Sequence, residues 1–222
     1  MHWSAGAPGW LHEARRCPSP HADERPPGTT VELLVLHHIS LPAGHFAGEA
    51  IEQLFCARLD CASHPSFGEL RGLQVSSHFL IRRHGQLLQF VNVRQRAWHA
   101  GRSSFLGRER CNDFSVGVEL EGDHRRAFTA SQYRRLLQLI GALRQTLPLR
   151  HLAAHSDIAP GRKTDPGRHF DWSRVLGHEV ARGLSRPVDH DGFCRPEPRS
   201  RGFAGSSGGP LLTYCASLRR LA

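Results

Sequence analysis

A single lysine, Lys163, stands among 29 basic residues, and it lies in the run His155-Ser156-Asp157-Ile158-Ala159-Pro160-Gly161-Arg162-Lys163-Thr164-Asp165-Pro166-Gly167. Every other basic residue is arginine, so this position calls for what lysine alone supplies: a compact ammonium on a flexible stem whose pKa can shift. One histidine and two aspartates share the run. Pro160, Pro166 and Gly167 stiffen and turn the loop, which lets His155 and Asp165 converge on one ion. Zinc hydrolases need two or three neutral imidazoles, often a carboxylate, and one open coordination position. A further imidazole from His37 or His38 completes such a set, and Glu119 and Glu121 offer carboxylates for proton transfer. With sixteen histidines in the chain, spacing alone does not choose among them.

These groups need elements to hold them. Val31 to Leu36 is apolar on both faces, as a central strand covered by helices requires, and it ends on His37-His38. Phe79 to Arg83 and Gln86 to Val91 flank His84-Gly85, which predicts adjacent antiparallel strands joined by a two-residue hairpin. From Phe114 to Glu121 the residues alternate, with Phe114, Val116, Val118 and Leu120 on the packed face and both glutamates on the opposite one. Thr129-Ala130-Ser131-Gln132 has the capping-box pattern and opens a helix carrying Leu136, Leu137, Ile140, Leu143 and Leu147 inward until Pro148. A short strand, Arg150 to His155, leads into the lysine loop. A last helix is expected from Asp171 as N-cap, with Trp172, Val175, Leu176 and Val180 inward, and an earlier one from Glu49 to Leu59.

At 222 residues the chain can bury one substantial core. Residues 1–30 are read as an irregular lead segment that is part of the domain, 31–183 as the domain body, and 184–222 as a disordered tail whose closing Leu211 to Ala222 could form a short helix. Strands mixed with helices and no internal repeat predict α/β layers around one sheet. The start of the chain has no basic, then apolar, leader, and no window approaches a membrane span, so a cytoplasmic protein is expected. Six cysteines without a C-x-x-C pair read as reduced thiols. The net charge of +9 is spread over scattered arginine pairs without a nucleic-acid-binding motif. It is read as a solvated basic surface that also steers an anionic small substrate.

Val35 to Pro42, Arg96-Ala97-Trp98-His99-Ala100-Gly101, Gly107 to Ser115, Gly117-Val118-Glu119-Leu120-Glu121-Gly122 and His155 to Gly167 together resemble, in order, the zinc-dependent N-acetylmuramoyl-L-alanine amidases. The motifs closely resemble those of the members that act on 1,6-anhydro-muropeptides in cytoplasmic peptidoglycan recycling. It runs from about residue 9 to 183, and the thirteen-residue loop is specific by itself. The wider family includes phage-lysozyme-type amidases and peptidoglycan recognition proteins, which implies a single domain with a mixed central β-sheet, flanking helices and a zinc groove.

The resemblance implies that His37, rather than His38, joins His155 and Asp165 as zinc ligands. It implies Glu119, rather than Glu121, as the catalytic carboxylate and Lys163 as the second catalytic group. Arg110 is expected to meet a stem-peptide carboxylate, and Trp98 and His99 to line the pocket, with plain packing an alternative for Trp98. Two positions depart from the relatives: His38, often asparagine, and Gln74, frequently basic; both are expected near substrate. The implied reaction is zinc-dependent hydrolysis of the amide joining the lactyl group of 1,6-anhydro-N-acetylmuramic acid to L-alanine. The implied partner is the anhydro-muropeptide itself, with no nucleic acid, membrane or obligate protein partner. Competing readings are a zinc amidase acting on intact cell wall, which would want a signal peptide or wall-binding module, and a non-catalytic muropeptide- or nucleic-acid-binding protein.

Overall fold

The computed structural model describes residues 1–186. In chain order the strands are β1 (Arg15–Arg16), β2 (Ala22–Asp23), β3 (Leu33–Ile39), β4 (Phe79–Ile81), β5 (Leu87–Gln89), β6 (Arg96–Ala97), β7 (Ser104–Phe105), β8 (Arg108–Glu109), β9 (Ser115–Glu121) and β10 (His151–Ala154). The α-helices are α1 (Ala50–Phe55), α2 (Ala130–Thr146), α3 (His155–Ile158) and α4 (Trp172–Leu176). Six strands form the central sheet in the order β1-β5-β4-β9-β3-β10. β4, β9, β3 and β10 run parallel, and β5 turns back antiparallel to β4. The result is the mixed α/β sheet that the sequence predicts.

Burial on both faces explains the run of apolar residues in β3. Leu34 and Leu36, with Val116, Val118 and Leu120 of β9, pack on one side against Leu136, Leu139, Ile140 and Leu143 of α2. On the other side Leu33 and Val35 meet Ala100, Cys111, Phe114 and Ile158. β9 is buried at every position, so its glutamate face is packed as well, contrary to the one-sided strand expected from alternation. The helix α2 starts where Thr129 and Gln132 predict it, with both halves of the capping box formed. One buried network replaces apolar packing beside β9: Arg82 donates from Nη1 to Glu121 and from Nη2 to Glu52, each at 2.7 Å, and Arg15 adds a second contact to Glu52. It stands between α1, the β4–β5 turn and β9, where unpaired charge would be costly.

Several expectations need correction. The turn between β4 and β5 has three residues, Arg83, His84 and Gly85, because beyond the Ile81–Leu87 pair the Arg82 amide still bonds the Gln86 carbonyl at 2.9 Å, and the Gly85 amide bonds the Arg82 carbonyl. Gly85 takes φ +90°, the left-handed residue that closes a three-residue hairpin without splaying the strands. The helix expected over Glu49 to Leu59 stops at Phe55, and Ala57 sits at φ +55°. α4 ends at Leu176, and Val180 lies instead in a separate 3-10 turn, Glu179–Ala181. Within the otherwise irregular lead segment Arg15–Arg16 forms the sheet's edge strand β1. Buried Gln89 ties the segment down by accepting from the Leu11 amide (2.8 Å) and donating to the Gly9 carbonyl (2.8 Å). At the other end packing continues to residue 186, since Leu184 is buried and Arg186 grips Asp157 through two 2.8 Å contacts. Residues 187–222, with the expected tail helix, lie outside the described residues. The described cysteines, Cys17, Cys56, Cys61 and Cys111, are free thiols. Among the described residues no helix is long and apolar enough to cross a membrane.

A buried imidazole sets an acid limit on the fold. His78 accepts from the Gly117 amide at Nδ1 (3.0 Å) and donates from Nε2 to the Gln95 carbonyl (3.1 Å). Burial, then the neighbouring Arg25 guanidinium, pushes its pKa down to about 3. The unfolded chain takes up this proton near pH 6.5, and the folded chain only near 3. Its contribution is therefore full above about pH 6.5 and is lost as the pH falls toward 3. Between about pH 7 and pH 5 that amounts to about 2 kcal/mol. Urea midpoints of the native chain and of His78→Gln, taken at both pH values, should show the variant losing less by that amount; equal losses would exclude this source.

Candidate metal centre

Ligands in parallel sheets collect at the carboxyl ends of strands, and this sheet aligns three chemical groups there on one rung. His37 of β3 is the register partner of Glu119 of β9, while Ala154, the last residue of β10, pairs with Leu36. His155 is therefore level with His37. It opens the short helix α3 directly after the strand, instead of ending the strand as expected. The loop that follows folds back so that the Ser156 amide bonds the Asp165 carbonyl at 3.0 Å, and Gly161 turns it at φ +73°. Asp165 is thereby carried to the two imidazoles.

His37, His155 and Asp165 bring one donor atom each to a common point. The Nδ1 atoms of the two histidines are 2.9 Å apart, and Asp165 Oδ2 lies 3.2 Å from that of His37 and 3.1 Å from that of His155. Ligand bonds of zinc length in a tetrahedron put donors about 3.3 Å apart, so this nearly closed triangle fits such an ion. Burial, then His155, pushes the His37 pKa down to about 4, with Asp165 opposing. Burial alone would raise Asp165, yet the two histidines hold it well below the usual carboxylate range. These directions favour a neutral ring at His37 and an ionised carboxylate at Asp165, the forms that bind a metal.

Glu119 and Lys163 border this triangle. Glu119 is 6% exposed, and its Oε2 has no hydrogen-bond partner among the described residues. Burial first, then Asp165, pushes its carboxyl well above the usual range, and Lys163 draws it back. Glu121, the alternative on the same strand face, is engaged elsewhere: it accepts from Arg82, the Arg83 amide (3.0 Å) and the Ala47 amide (2.9 Å). Lys163 is buried at 5% exposure, and its amide bonds the Ala159 carbonyl at 3.0 Å. Its charge acts on both Glu119 and His37.

The residues expected to touch substrate separate into three environments. Arg110 has a left-handed backbone (φ 60°, ψ 57°) and a side chain 71% exposed, with Asp113 Oδ2 3.4 Å from its Nε. Trp98 is half-buried and stacks on His21 at 5.8 Å. His38 follows His37 on the strand, so its side chain leaves from the other face of the sheet. His99, expected to line the pocket, is 2% exposed. It is buried behind His37, with its Nδ1 3.0 Å from His37 Nε2. The motif containing His99 is visible in the sequence, but its inward direction is not. The signal that could have found it is Gly117, because a glycine inside a strand marks close approach of another group.

Residues 27–168 match the family model described as N-acetylmuramoyl-L-alanine amidase. The chain is 52% identical over 168 residues to the 1,6-anhydro-N-acetylmuramyl-L-alanine amidase AmpD of Escherichia coli K12, covering 75% of this chain and 92% of that protein. A crystal structure of a selenomethionine AmpD derivative superposes with a TM-score of 0.77 at 49% identity, over 80% of this chain and 98% of the other. A more distant match is the amidase AmiD of E. coli in complex with anhydro-N-acetylmuramic acid-L-Ala-D-γ-Glu-L-Lys. That match has 27% identity and a TM-score of 0.50, and covers 69% of this chain and 60% of AmiD.

Proposed function

Because the chain belongs to the N-acetylmuramoyl-L-alanine amidase family, we propose that it hydrolyses the amide between the lactyl group of 1,6-anhydro-N-acetylmuramic acid and the L-alanine of the stem peptide. The reaction would use zinc held by His37, His155 and Asp165, in cytoplasmic peptidoglycan recycling. The observation that carries this reading is the convergence of those three donors beside Glu119 and Lys163. The substrate follows from half-identity, over most of the chain, to a relative named for that anhydro-sugar amide. The domain assigned to it comprises residues 31–183, together with the lead segment that supplies β1 and the packed residues 184–186.

When bound, zinc supplies Lewis-acid activation of water and of the scissile carbonyl. Glu119 takes the proton of the attacking water and returns it to the departing amine of L-alanine. One carboxylate serves both steps, because the amine leaves only after it is protonated. Its partnerless Oε2 leaves an acceptor available for that water. Lys163 donates to the oxygen that gains charge as the carbonyl becomes tetrahedral, and its fixed backbone means it does not reorganise at that moment. Arg110, exposed on its loop, meets a carboxylate of the stem peptide.

The test is release of free tripeptide from anhydro-muramyl tripeptide by zinc-loaded, chelated and zinc-restored protein, with the reducing muramyl peptide alongside. Release that chelation abolishes and zinc restores, strongest from the anhydro sugar, is expected. Equal or greater release from the reducing sugar would point to an amidase of the intact wall. No release from either despite bound zinc would leave a binding role.

A further inference from the structure

A metal-binding imidazole keeps its tautomer and orientation when the ring nitrogen away from the ion has a fixed partner. Here the outer partners of both histidines come from one dipeptide. His37 Nε2 lies 3.0 Å from His99 Nδ1, and His155 Nε2 lies 3.2 Å from the Ala100 carbonyl. With each Nδ1 lone pair turned toward the ion position, each neutral ring carries its proton on Nε2. His37 thus donates to His99, and His155 to Ala100.

The direction of the next bonds follows. A His99 ring that accepts at Nδ1 holds its own proton on Nε2, which donates to Ser115 Oγ at 3.2 Å. The Ser115 hydroxyl in turn donates to the Cys111 carbonyl at 2.6 Å. Every donor in this series has one acceptor, and the series ends on a main-chain oxygen that has no proton to send back. Asn112 Oδ1 clamps the dipeptide by accepting from the amides of His99 (3.1 Å) and Ala100 (2.8 Å). β9 provides the seat: a Cβ on Gly117 would fall 2.5 Å from His99 Cγ, so only glycine admits the ring. Ser115, Gly117 and Glu119 occupy one face of that strand, so the strand that carries the carboxylate also shapes the support for His37.

The geometry points to His99 as a positioning residue for the amidase reaction: its Nδ1 fixes the tautomer and ring plane of His37 and so aims the His37 Nδ1 at the metal. This rests on the reading of His37, His155 and Asp165 as the ligands. It assigns His99 a role away from substrate, acting through His37 alone.

The test compares two replacements in the full chain. His99→Leu fills the space without an acceptor, whereas His99→Asn places an amide oxygen where Nδ1 stood. Zinc affinity is measured by chelator competition, and ligand geometry by the visible absorption of the cobalt-substituted protein. His99→Leu should bind zinc about 10- to 100-fold more weakly, with an altered cobalt band, and His99→Asn should recover most of the affinity and the band. A packing role makes the opposite prediction, so leucine equal to or better than asparagine overturns the proposal. If the leucine variant does not fold, Ser115→Ala serves, since it frees the His99 proton to move to Nδ1. Weakened zinc binding is expected there, and unchanged affinity in the folded protein overturns the assignment. Failure of the native chain itself to take up one zinc would instead overturn the ligand reading.

Discussion

Replacing Glu119 with glutamine should lower kcat by about 10²- to 10⁴-fold while zinc stays bound and the fold is no less stable. The amide has nearly the volume of the carboxyl but cannot accept the water proton or return it to the amine. Stability is expected to hold because the carboxyl is 6% exposed, and burial disfavours its charged form. A neutral amide removes that cost. None of the donors converging on the ion position belongs to residue 119, so metal content should match the native chain. The measurement pairs kcat on anhydro-muramyl tripeptide with metal analysis and thermal unfolding. Loss of zinc along with activity would mean that Glu119 holds the ion rather than moving protons, and near-native turnover would remove it from the mechanism.

The second large effect is expected at Lys163. Lys163→Arg keeps the charge yet should cost about 10²- to 10³-fold in kcat, the usual loss of one donor to a developing oxyanion. The residue is buried in a loop tied by Ser156 to Asp165 and by its own amide to Ala159. A flat, larger guanidinium cannot occupy an ammonium's place there without moving the loop that also carries Asp165. The readout is the partition between kcat and KM. A drop in kcat with KM nearly unchanged is expected, since the interaction forms in the transition state. A rise in KM alone would make Lys163 a substrate-binding group.

Local signals in the sequence were read well where one physical rule acted by itself. Thr129 and Gln132 satisfy helix N–H groups, and α2 begins there. The apolar run before His37 needs two covering layers, and β3 has them. The readings that failed depended on competition between distant segments. Residues 1–30 lack periodicity because β1 is two residues long and the segment before it is held at Gly9 and Leu11 by the Gln89 side chain, which no local pattern encodes. The turn at Arg83-His84-Gly85 is one residue longer than the His84-Gly85 dipeptide predicts because strand register, not the turn dipeptide, sets its length. In the candidate centre His37, His155, Asp165, Glu119 and Lys163 were nameable, but spacing alone left His37 tied with His38 and Glu119 with Glu121. The fold separates each pair by strand face for the histidines and by ion pairing for the glutamates. His99 was misdirected because a side chain's heading out of an irregular segment is decided by what lies beneath it, here Gly117.

The shared rung of β9, β3 and β10 acts as a checksum on folding. Its three groups come from segments far apart in the chain, and each faces the same side only when both neighbours meet β3 at the proper offset. A slip of one residue in either pairing turns Glu119 or the segment leading to His155 to the opposite layer. A slip of β10 against β3 would leave an ion no converging set of donors, whereas a slip of β9 would spare the donors and displace only the carboxylate, so an ion bound at His37, His155 and Asp165 would favour chains with β3 and β10 aligned. Under the proposed metal role, ion supply and the β3–β10 register would become one quantity: chains that retain an ion would be those in which these two strands have been counted correctly.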